Sequence, residues 1–252
     1  MGDRLFPPGL RAYLRALTFF MVLWFGISLL VRIPLLLPSP VVVSQEFLRT
    51  AVSGEAWRQI SVSLRRLATG YALALAVGIG GGLLAATSAL VRDIIRVPVE
   101  VLRPISGIAW IPVALYALGP GNGVPVFIIF YAAVFPILLN TVAGVEQVDR
   151  RLVQAARTLG ATTPGVLRTV VWPAALPVIV TGARIGLGNA WAAIIVAELV
   201  GSPSGLGFAI ERARQLLRTD AVLAWIAYIG LLGYGVDATM RWLARRVTWH
   251  AG

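Results

Sequence analysis

The stretch Val145–Pro177, VEQVDRRLVQAARTLGATTPGVLRTVVWPAALP, is a polar interlude in an otherwise apolar chain. Apolar residues recur at helical spacing through its first half, while Glu146 and Arg157 fall on the other side. This pattern predicts an amphipathic helix over residues 145–159. Gly160 stands just past the periodic run, where glycine can adopt the left-handed conformation that closes a helix. The stretch therefore predicts a helix that ends in a fixed elbow.

A second short helix is predicted after this elbow. Thr163 followed by Pro164 offers an N-cap and a first-turn proline. Trp172 and Pro173 are predicted to end this helix. The two helices and the glycine between them make up a loop, residues 145–173. It lies between two apolar segments that are each long enough to cross a bilayer.

The composition of the chain indicates a membrane protein. Of its 252 residues 58% are hydrophobic and 13% are charged, and the mean hydropathy is +0.82. A soluble domain typically has a charged fraction of about 25%. The net charge of +11 comes from arginines that lie between and beside apolar spans. A nucleic-acid-binding protein instead concentrates its arginines on one solvent-exposed face. The sequence therefore argues against a nucleic-acid partner.

The chain also lacks the residues for several kinds of chemistry. All 22 basic residues are arginine, so no P-loop lysine is available to contact a nucleotide phosphate. There is no cysteine, one histidine and a scatter of single acidic residues, from which no metal site or catalytic dyad can be assembled. We therefore expect a subunit that is not an enzyme and has no metal or cofactor of its own.

The apolar segments predict about six transmembrane helices in a single domain, residues 1–252. Residues 104–145 carry no charge and would form one helix about 63 Å long, roughly twice the hydrocarbon core, so this segment must fold back. The sequence GPGNG at Gly119–Gly123 provides the turn. The predicted spans are residues 16–37, 63–91, 104–118, 124–144, 175–200 and 221–243, with a charged loop from Arg92 to Arg103 and a short surface helix at 41–52.

The distribution of arginine predicts the orientation of these spans. Arginines concentrate in the segments on one side, among them Arg4 near the N-terminus and Arg245 near the C-terminus. Positively charged segments of membrane proteins remain in the cytoplasm. We therefore expect both termini and the loop 145–173 in the cytoplasm, and Asn122 in the periplasm.

The loop also carries a family resemblance. The chain resembles the EAA signature of ABC importer permeases, with glutamine in place of its first glutamate, at Gln154-Ala155-Ala156-Arg157, Leu159-Gly160-Ala161, Pro173 and Leu176-Pro177. Further segments, from Leu37-Pro38-Ser39-Pro40 to Gly205-Leu206-Gly207, are similar to permeases for nitrate, sulfonate, taurine and bicarbonate. The resemblance covers about residues 37 to 249.

This resemblance implies an all-α permease of the type I importer class for a small anion or sulfonate-like solute. The loop 145–173 would be a cytoplasmic coupling helix seated in a separate ATPase subunit, which binds ATP and magnesium. The implied partners are a second copy of the chain, two ATPase subunits, a periplasmic or lipid-anchored substrate-binding protein, and the lipid of the bacterial inner membrane. The implied ATPase-coupling residues are Gln154, Ala155, Ala156, Arg157, Leu159, Gly160 and Ala161.

Two alternatives stay open on the residues alone. A secondary transporter or a channel would need no ATPase surface, but it would normally carry ionisable groups near the midplane in repeated halves, and the chain shows no internal repeat. The loop 145–173 could also lie on the lipid surface and bind anionic headgroups through its arginines. The glycine elbow favours docking into a protein socket.

One arginine falls well inside a predicted span. Arg184 would lie about 13 Å past the start of its helix, where an unpaired guanidinium costs at least ~2.5 kcal/mol at the helix centre. Glu198 is about 21 Å away along the same face, which also carries Trp191, and is too far to pair with it. Asp237 in the last span reaches a comparable depth. We expect either a structural Arg184–Asp237 ion pair or a pathway arginine that meets an anionic substrate, with snorkelling to headgroups as a third hypothesis.

Overall fold

The computed structural model describes residues 8–31, 33 and 35–248, and every regular element in those ranges is a helix. Arg4 and residues 32 and 34 of the first predicted span lie outside the described residues. The α-helices are α1 (Pro8–Val31), α2 (Pro40–Val52), α3 (Glu55–Thr87), α4 (Ala89–Leu102), α5 (Ile111–Leu118), α6 (Gly123–Glu146), α7 (Arg150–Thr158), α8 (Thr163–Val166), α9 (Trp172–Gly201), α10 (Leu206–Gln215) and α11 (Thr219–Thr248). A 3-10 turn, Gly107–Trp110, precedes α5, and a π-helical segment, Leu167–Val171, joins α8 to α9.

Four helical segments in the described ranges are long and apolar enough to cross a membrane. They are Glu55–Thr87, Gly123–Glu146, Thr163–Gly201 and Thr219–Arg246. A fifth span arises if α4 and the segment Gly107–Leu118, which meet at 89°, cross together as a broken helix. Within the first predicted span, residues 16–37, the apolar helix extends over Arg15–Val31 and is shorter than a full span. The all-helical membrane class is confirmed, and the described residues supply four or five spans where the sequence predicts six.

The structure corrects the loop predicted from Arg92 to Arg103. Most of that segment is helix α4, because Ser88 caps it by accepting a hydrogen bond from the Val91 N–H and because its apolar residues recur at helical spacing. The helix predicted at 104–118 is correspondingly shorter, since a 3-10 turn and α5 take its place. The apolar stripe of α4 is exposed in the chain and consists of Leu90, Ile94, Val97 and Val101.

The predicted GPGNG turn between α5 and α6 is confirmed. Gly119 is the C-cap of α5 with φ +71°, and Gly121 has φ +145°. Helix α6 then begins at Gly123. The long uncharged segment therefore folds back where its turn residues predict.

The chain divides into two compact units. The first comprises Met1–Arg58 and Ala209–Ile229, and the second comprises Gln59–Phe208 and Gly230–Gly252. In the first unit the predicted surface helix is confirmed as α2, whose Phe47 ring stacks on Tyr228 with 4.0 Å between ring centroids. The Tyr228 hydroxyl donates a hydrogen bond of 2.7 Å to the Phe47 carbonyl.

A buried carboxylate links α2 to the segment before α11 in the same unit. Glu46 is 6% exposed and accepts hydrogen bonds from Arg49 over 2.6 Å, while the Arg218 guanidinium lies 2.8 Å from its other oxygen. The hydrogen bonds from Arg49 lower the pKa of Glu46 most strongly, burial raises it, and the contact with Arg218 lowers it further, so that the net shift is downward. The charged form of Glu46 is therefore the one that the fold stabilises.

In the second unit, helices approach one another closely at glycines. A Cβ at Gly78 of α3 would come 2.8 Å from Ile137 of α6, and one at Gly82 would come 2.6 Å from Thr141. On α9, a Cβ at Gly182 would come 2.4 Å from Asn140 of α6. Because small residues let helix backbones pack tightly in membranes, these glycines fix the positions of α3 and α9 against α6.

Candidate functional site

Helix α7 carries most of the residues that the sequence marks for ATPase coupling, and it begins later than predicted. Helix α6 extends to Glu146. Asp149 then caps α7 by accepting a hydrogen bond of 2.8 Å from the Arg151 N–H. The amphipathic helix predicted at 145–159 is therefore Arg150–Thr158, because the first residues of the predicted range complete α6 and form the cap.

The elbow after α7 has the geometry of a Schellman C-cap. Gly160 has φ +83°, its N–H donates to the Arg157 carbonyl over 2.9 Å, and the Ala161 N–H donates to the Ala156 carbonyl over 3.0 Å. A Cβ at Gly160 would meet no atom within 4 Å, so the need for glycine comes from the backbone conformation alone. The predicted glycine stop is confirmed.

The apolar side of α7 is at most half-buried inside the chain. No residue of α7 is buried, and Leu152 and Leu159 are 54% and 88% exposed. Among the predicted coupling residues, Gln154, Ala155 and Arg157 are also exposed. An amphipathic helix normally covers its apolar side against a neighbour. Within this chain α7 therefore presents a surface that another molecule can cover.

Trp172 and Pro173 do not end the second helix of the loop, contrary to the sequence prediction. Thr162 caps α8, and the chain then continues through the π-helical segment into α9. Pro173 directly follows the π-helical segment Leu167–Val171, and local π-helical adjustments accommodate a proline within a membrane helix. Thr163–Gly201 thus forms one helical segment of 39 residues, which joins the elbow to the predicted fifth span.

The structure brings Arg184 of α9 and Asp237 of α11 together. The Arg184 Nε atom is 3.3 Å from the Asp237 Oδ1 atom, and the two side chains are 49% and 44% exposed within the chain. Asp237 also bonds to the guanidinium of Arg241, one helical turn further along α11. The contact matches the predicted ion pair.

Trp191 and Glu198 have surroundings that differ from those of Arg184. Trp191 packs against Gly233 of α11, where a Cβ would come 2.5 Å from the indole Nε1 atom. Glu198 is fully buried near the far end of α9. The structure therefore does not unite the predicted pathway residues in one place.

Glu198 forms a buried ion pair with Arg66 of α3, which the sequence analysis missed. The Glu198 Oε1 atom is 2.9 Å from the Arg66 Nη1 atom, and the two side chains are 0% and 4% exposed. The Ser63 hydroxyl donates to Oε2 of Glu198 over 2.8 Å, and the Gly207 N–H donates to the same oxygen over 3.1 Å. Several donors thus converge on one carboxylate.

This network fixes the segment between α9 and α10. Arg66 donates to the Ser204 carbonyl over 2.6 Å and to the Asn122 Oδ1 atom over 2.9 Å. Gly205 has φ +107°, and a Cβ there would come 2.2 Å from the carboxylate carbon of Glu198. Gly205 is therefore required both by its backbone conformation and by the close approach of the carboxylate.

A groove of about 940 Å³ lies along α6 and α9 in the second unit, beside the bend that follows α4. Its walls are mainly apolar and include Phe135, Leu139 and Val196. Five other lining residues have polar or charged side chains, and the sequence analysis names only Arg103 among them, as the end of a charged loop: Arg103, Ser106, Tyr131, Asn140 and Asn189.

Membrane-crossing helices, an exposed elbowed helix between two of them and a groove with mainly apolar walls are typical of a membrane permease. The family of binding-protein-dependent transport system inner membrane components matches residues 78–249, and the chain belongs to that family. It is the permease subunit of an ABC importer, and such permeases work with ATPase subunits and a substrate-binding protein.

The individual relatives agree with this class. The chain is 35% identical over 237 residues to the taurine transport system permease protein of Escherichia coli K12, covering 91% of this chain and 86% of that protein. It is 38% identical over 190 residues to the bicarbonate transport system permease protein of Synechococcus elongatus, covering 75% and 68%. The fold is similar to an inward-facing structure of the MetNI methionine ABC transporter, with a TM-score of 0.65, 20% identity, and coverage of 76% of this chain and 97% of that one.

Proposed function

We propose that two copies of this chain form the translocation path of an importer for a small anion, either an organic sulfonate or an inorganic oxyanion such as bicarbonate. The observation that carries this proposal is the similarity, over most of the chain, to permeases named for taurine and for bicarbonate. A periplasmic or lipid-anchored binding protein delivers the anion, and two ATPase subunits bind ATP and magnesium. The chain lies in the bacterial inner membrane with both termini in the cytoplasm.

The ATPase contact in this proposal is α7 with its elbow, from Gln154 to Ala161. Its apolar side chains are exposed, and the Schellman cap at Gly160 holds the end of the helix in one conformation. A helix that only rested on lipid headgroups would gain nothing from a fixed elbow. A rigid projection suits a socket in a protein subunit, and Leu159 at its tip supplies an apolar anchor.

The helical segment Thr163–Gly201 supports mechanical coupling between the ATPase subunits and the translocation path. Closure of the ATPase pair on ATP draws the two elbows together and converts an inward-facing path into an outward-facing one, as two discrete states. Because the segment continues from the elbow into α9 without a break, a displacement of the elbow is passed to α9. Helix α9 carries Asn189 and Val196 on the groove.

Arg184 has a structural role in this proposal. Its guanidinium contacts Asp237, and the residue is absent from the lining of the groove, whereas its neighbour Ile185 lines it. A pathway arginine would be expected to face that groove. The ion pair therefore holds α9 to the part of α11 near Asp237 and compensates the cost of a charge inside the span.

Transport-coupled ATP hydrolysis tests the substrate class. The chain is reconstituted in lipid nanodiscs with its cognate ATPase subunits and binding protein, and hydrolysis is measured with taurine, bicarbonate or nitrate. Choline, a cation of similar size to taurine, is the matched control. We expect at least one of these three solutes, each of which carries an anionic oxygen group, to stimulate hydrolysis and choline to have no effect. Stimulation by choline alone would refute the assignment to anions.

A further inference from the structure

Among the described residues, the groove along α6 and α9 is lined by a basic residue but by no acidic one. Arg103 is the one charged residue among the lining residues in the described part of the chain, and no aspartate or glutamate lines the groove. A single cation that has no carboxylate beside it gives the cleft a positive potential, which is strongest at low ionic strength. An anion is therefore the kind of solute that this groove attracts.

The other arginines of α4 are neutralised by neighbours, which sets Arg103 apart. Arg92 lies 3.7 Å from Glu146, and Arg96 lies 2.9 Å from Glu100. Arg103 is exposed at the C-cap of α4, and it has no carboxylate within ion-pair distance among the described residues. Its charge is thus available to a solute in the groove.

Hydrogen-bond donors accompany this charge. The Ser106 Oγ atom accepts a hydrogen bond from the Ile108 N–H, which leaves the hydroxyl proton free to be donated. Asn140 donates one amide N–H to the Pro136 carbonyl and keeps a second. Asn189 is exposed on α9 and brings a further amide to the same groove. Oxygen atoms of a sulfonate or bicarbonate accept such hydrogen bonds.

We propose that Arg103, with Ser106, Asn140 and Asn189, forms an anion-selective station in the translocation path. The proposal rests on the proposed import function and adds the residues that recognise the negative charge. The groove, at about 940 Å³, is much larger than one small anion, so the contact is loose. A solute must leave a path as well as enter it, and weak binding at a charged station allows both.

The local potential can be measured without knowing the substrate. The chain has no cysteine, so Ala192→Cys places a single thiol on an exposed lining position of the groove. In detergent, the thiol is modified with an anionic sulfonatoethyl and a cationic trimethylammonioethyl methanethiosulfonate, and the ratio of the two rates is the readout. Arg103→Gln is expected to lower the anionic-to-cationic ratio by roughly two- to tenfold at low salt.

Arg96→Gln is the matched control, because it removes the same charge from the same helix at a residue that is paired with Glu100 and does not line the groove. This control should leave the ratio nearly unchanged, and Arg103→Lys should keep it close to the parent value. An unchanged ratio in Arg103→Gln, or an equal fall in Arg96→Gln, would overturn the proposal. Elution as a monodisperse peak on gel filtration checks that each variant is folded.

Uptake into proteoliposomes connects this potential to transport. With the ATPase subunits and binding protein present, uptake of radiolabelled taurine or bicarbonate is expected to fall at least about tenfold in Arg103→Gln and to recover in Arg103→Lys, which restores the positive charge. Normal uptake by Arg103→Gln would refute the station while leaving the importer function in place. A parent chain that takes up neither taurine nor bicarbonate would instead count against the proposed substrate class.

Discussion

Replacing Glu198 by glutamine should destabilise the fold more than any other single loss of a carboxylate. The substitution keeps the shape of the side chain but removes the charge that faces Arg66, whose side chain is only 4% exposed. Removal of one partner from a buried ion pair costs about 3–5 kcal/mol, because the other charge remains buried without compensation. The glutamine amide also turns a donor toward a site at which Ser63 and the Gly207 N–H already donate.

Thermal unfolding in detergent, followed by tryptophan fluorescence, measures this loss. For a chain of this size about 2–4 °C correspond to each kcal/mol, so Tm should fall by roughly 6–20 °C. Glu211→Gln is the control, since Glu211 pairs with an Arg214 side chain that is 68% exposed, and exposed pairs contribute little. Its Tm should stay close to that of the parent protein.

A double-mutant cycle isolates the pair. Arg66→Gln should also be severe, because it leaves the carboxylate of Glu198 buried without its cation. The combination of both changes removes both charges and should cost less than the sum of the single changes, by about 0.5–3 kcal/mol. Additive losses would refute the ion-pair account, as would a Glu198→Gln variant that unfolds at the parent temperature.

Three further predictions concern other parts of the chain. Arg184→Asp and Asp237→Arg should each lower the folded yield in detergent, and the variant with both changes should regain most of that yield. Its yield should stay below that of the parent protein, because Arg241 then faces an arginine at position 237. A normal yield for Asp237→Arg alone would contradict the ion pair. Pro120→Cys, in the exposed turn before α6, should be labelled by an impermeant maleimide from the periplasmic side. Labelling only from the cytoplasmic side would contradict the predicted orientation of the spans. The pKa of Glu46 is lowered on folding, so its contribution to stability is complete above its ordinary value of about 4.3 and is lost as the pH falls through the folded pKa. The difference in Tm between the parent protein and Glu46→Gln should therefore be constant near neutral pH and become smaller in acid. A difference that grows in acid would show that folding raises the pKa of Glu46.

The sequence predicted the elements whose signals are local. Gly160 ends α7 because the periodic apolar pattern stops there and glycine permits the left-handed turn. The turn at Gly119–Gly123 was predicted because an uncharged segment of that length cannot cross a bilayer once. Both features depend on a few neighbouring residues and on general limits of helix length.

Charge alone misled the prediction between Arg92 and Arg103. The charged residues suggested a loop, but they occupy the polar side of α4, and the apolar positions from Leu90 to Val101 are spaced as in a helix. The end predicted at Trp172 failed for a related reason. A membrane helix can contain a proline where a local π-helical segment accommodates it, so Pro173 continues into α9 instead of ending its predecessor.

The Arg66–Glu198 network lay beyond the prediction because it joins residues that are distant in sequence. A signal was nevertheless present: Gln59, Ser63 and Arg66 recur on one side of α3, and the same side continues with Gly70. A polar stripe that passes into a packing stripe indicates a buried polar contact, since the small residues place that side against a neighbour. The groove residue Arg103 gave no such signal, because its role depends on which other arginines find partners.

The most direct test of the account is the dependence of transport on the elbow after α7. Gly160→Val and Gly54→Val form a matched pair, because the two glycines have φ +83° and +75° and an added Cβ would meet no atom within 4 Å at either. Each change imposes a backbone strain of order 1–2 kcal/mol. ATPase association and ATP-dependent uptake are then measured in proteoliposomes. We expect Gly160→Val to insert normally but to lose both, while Gly54→Val retains ATPase association. Parent-like transport by Gly160→Val, or equal loss of association in the two variants, would contradict a coupling role for the elbow.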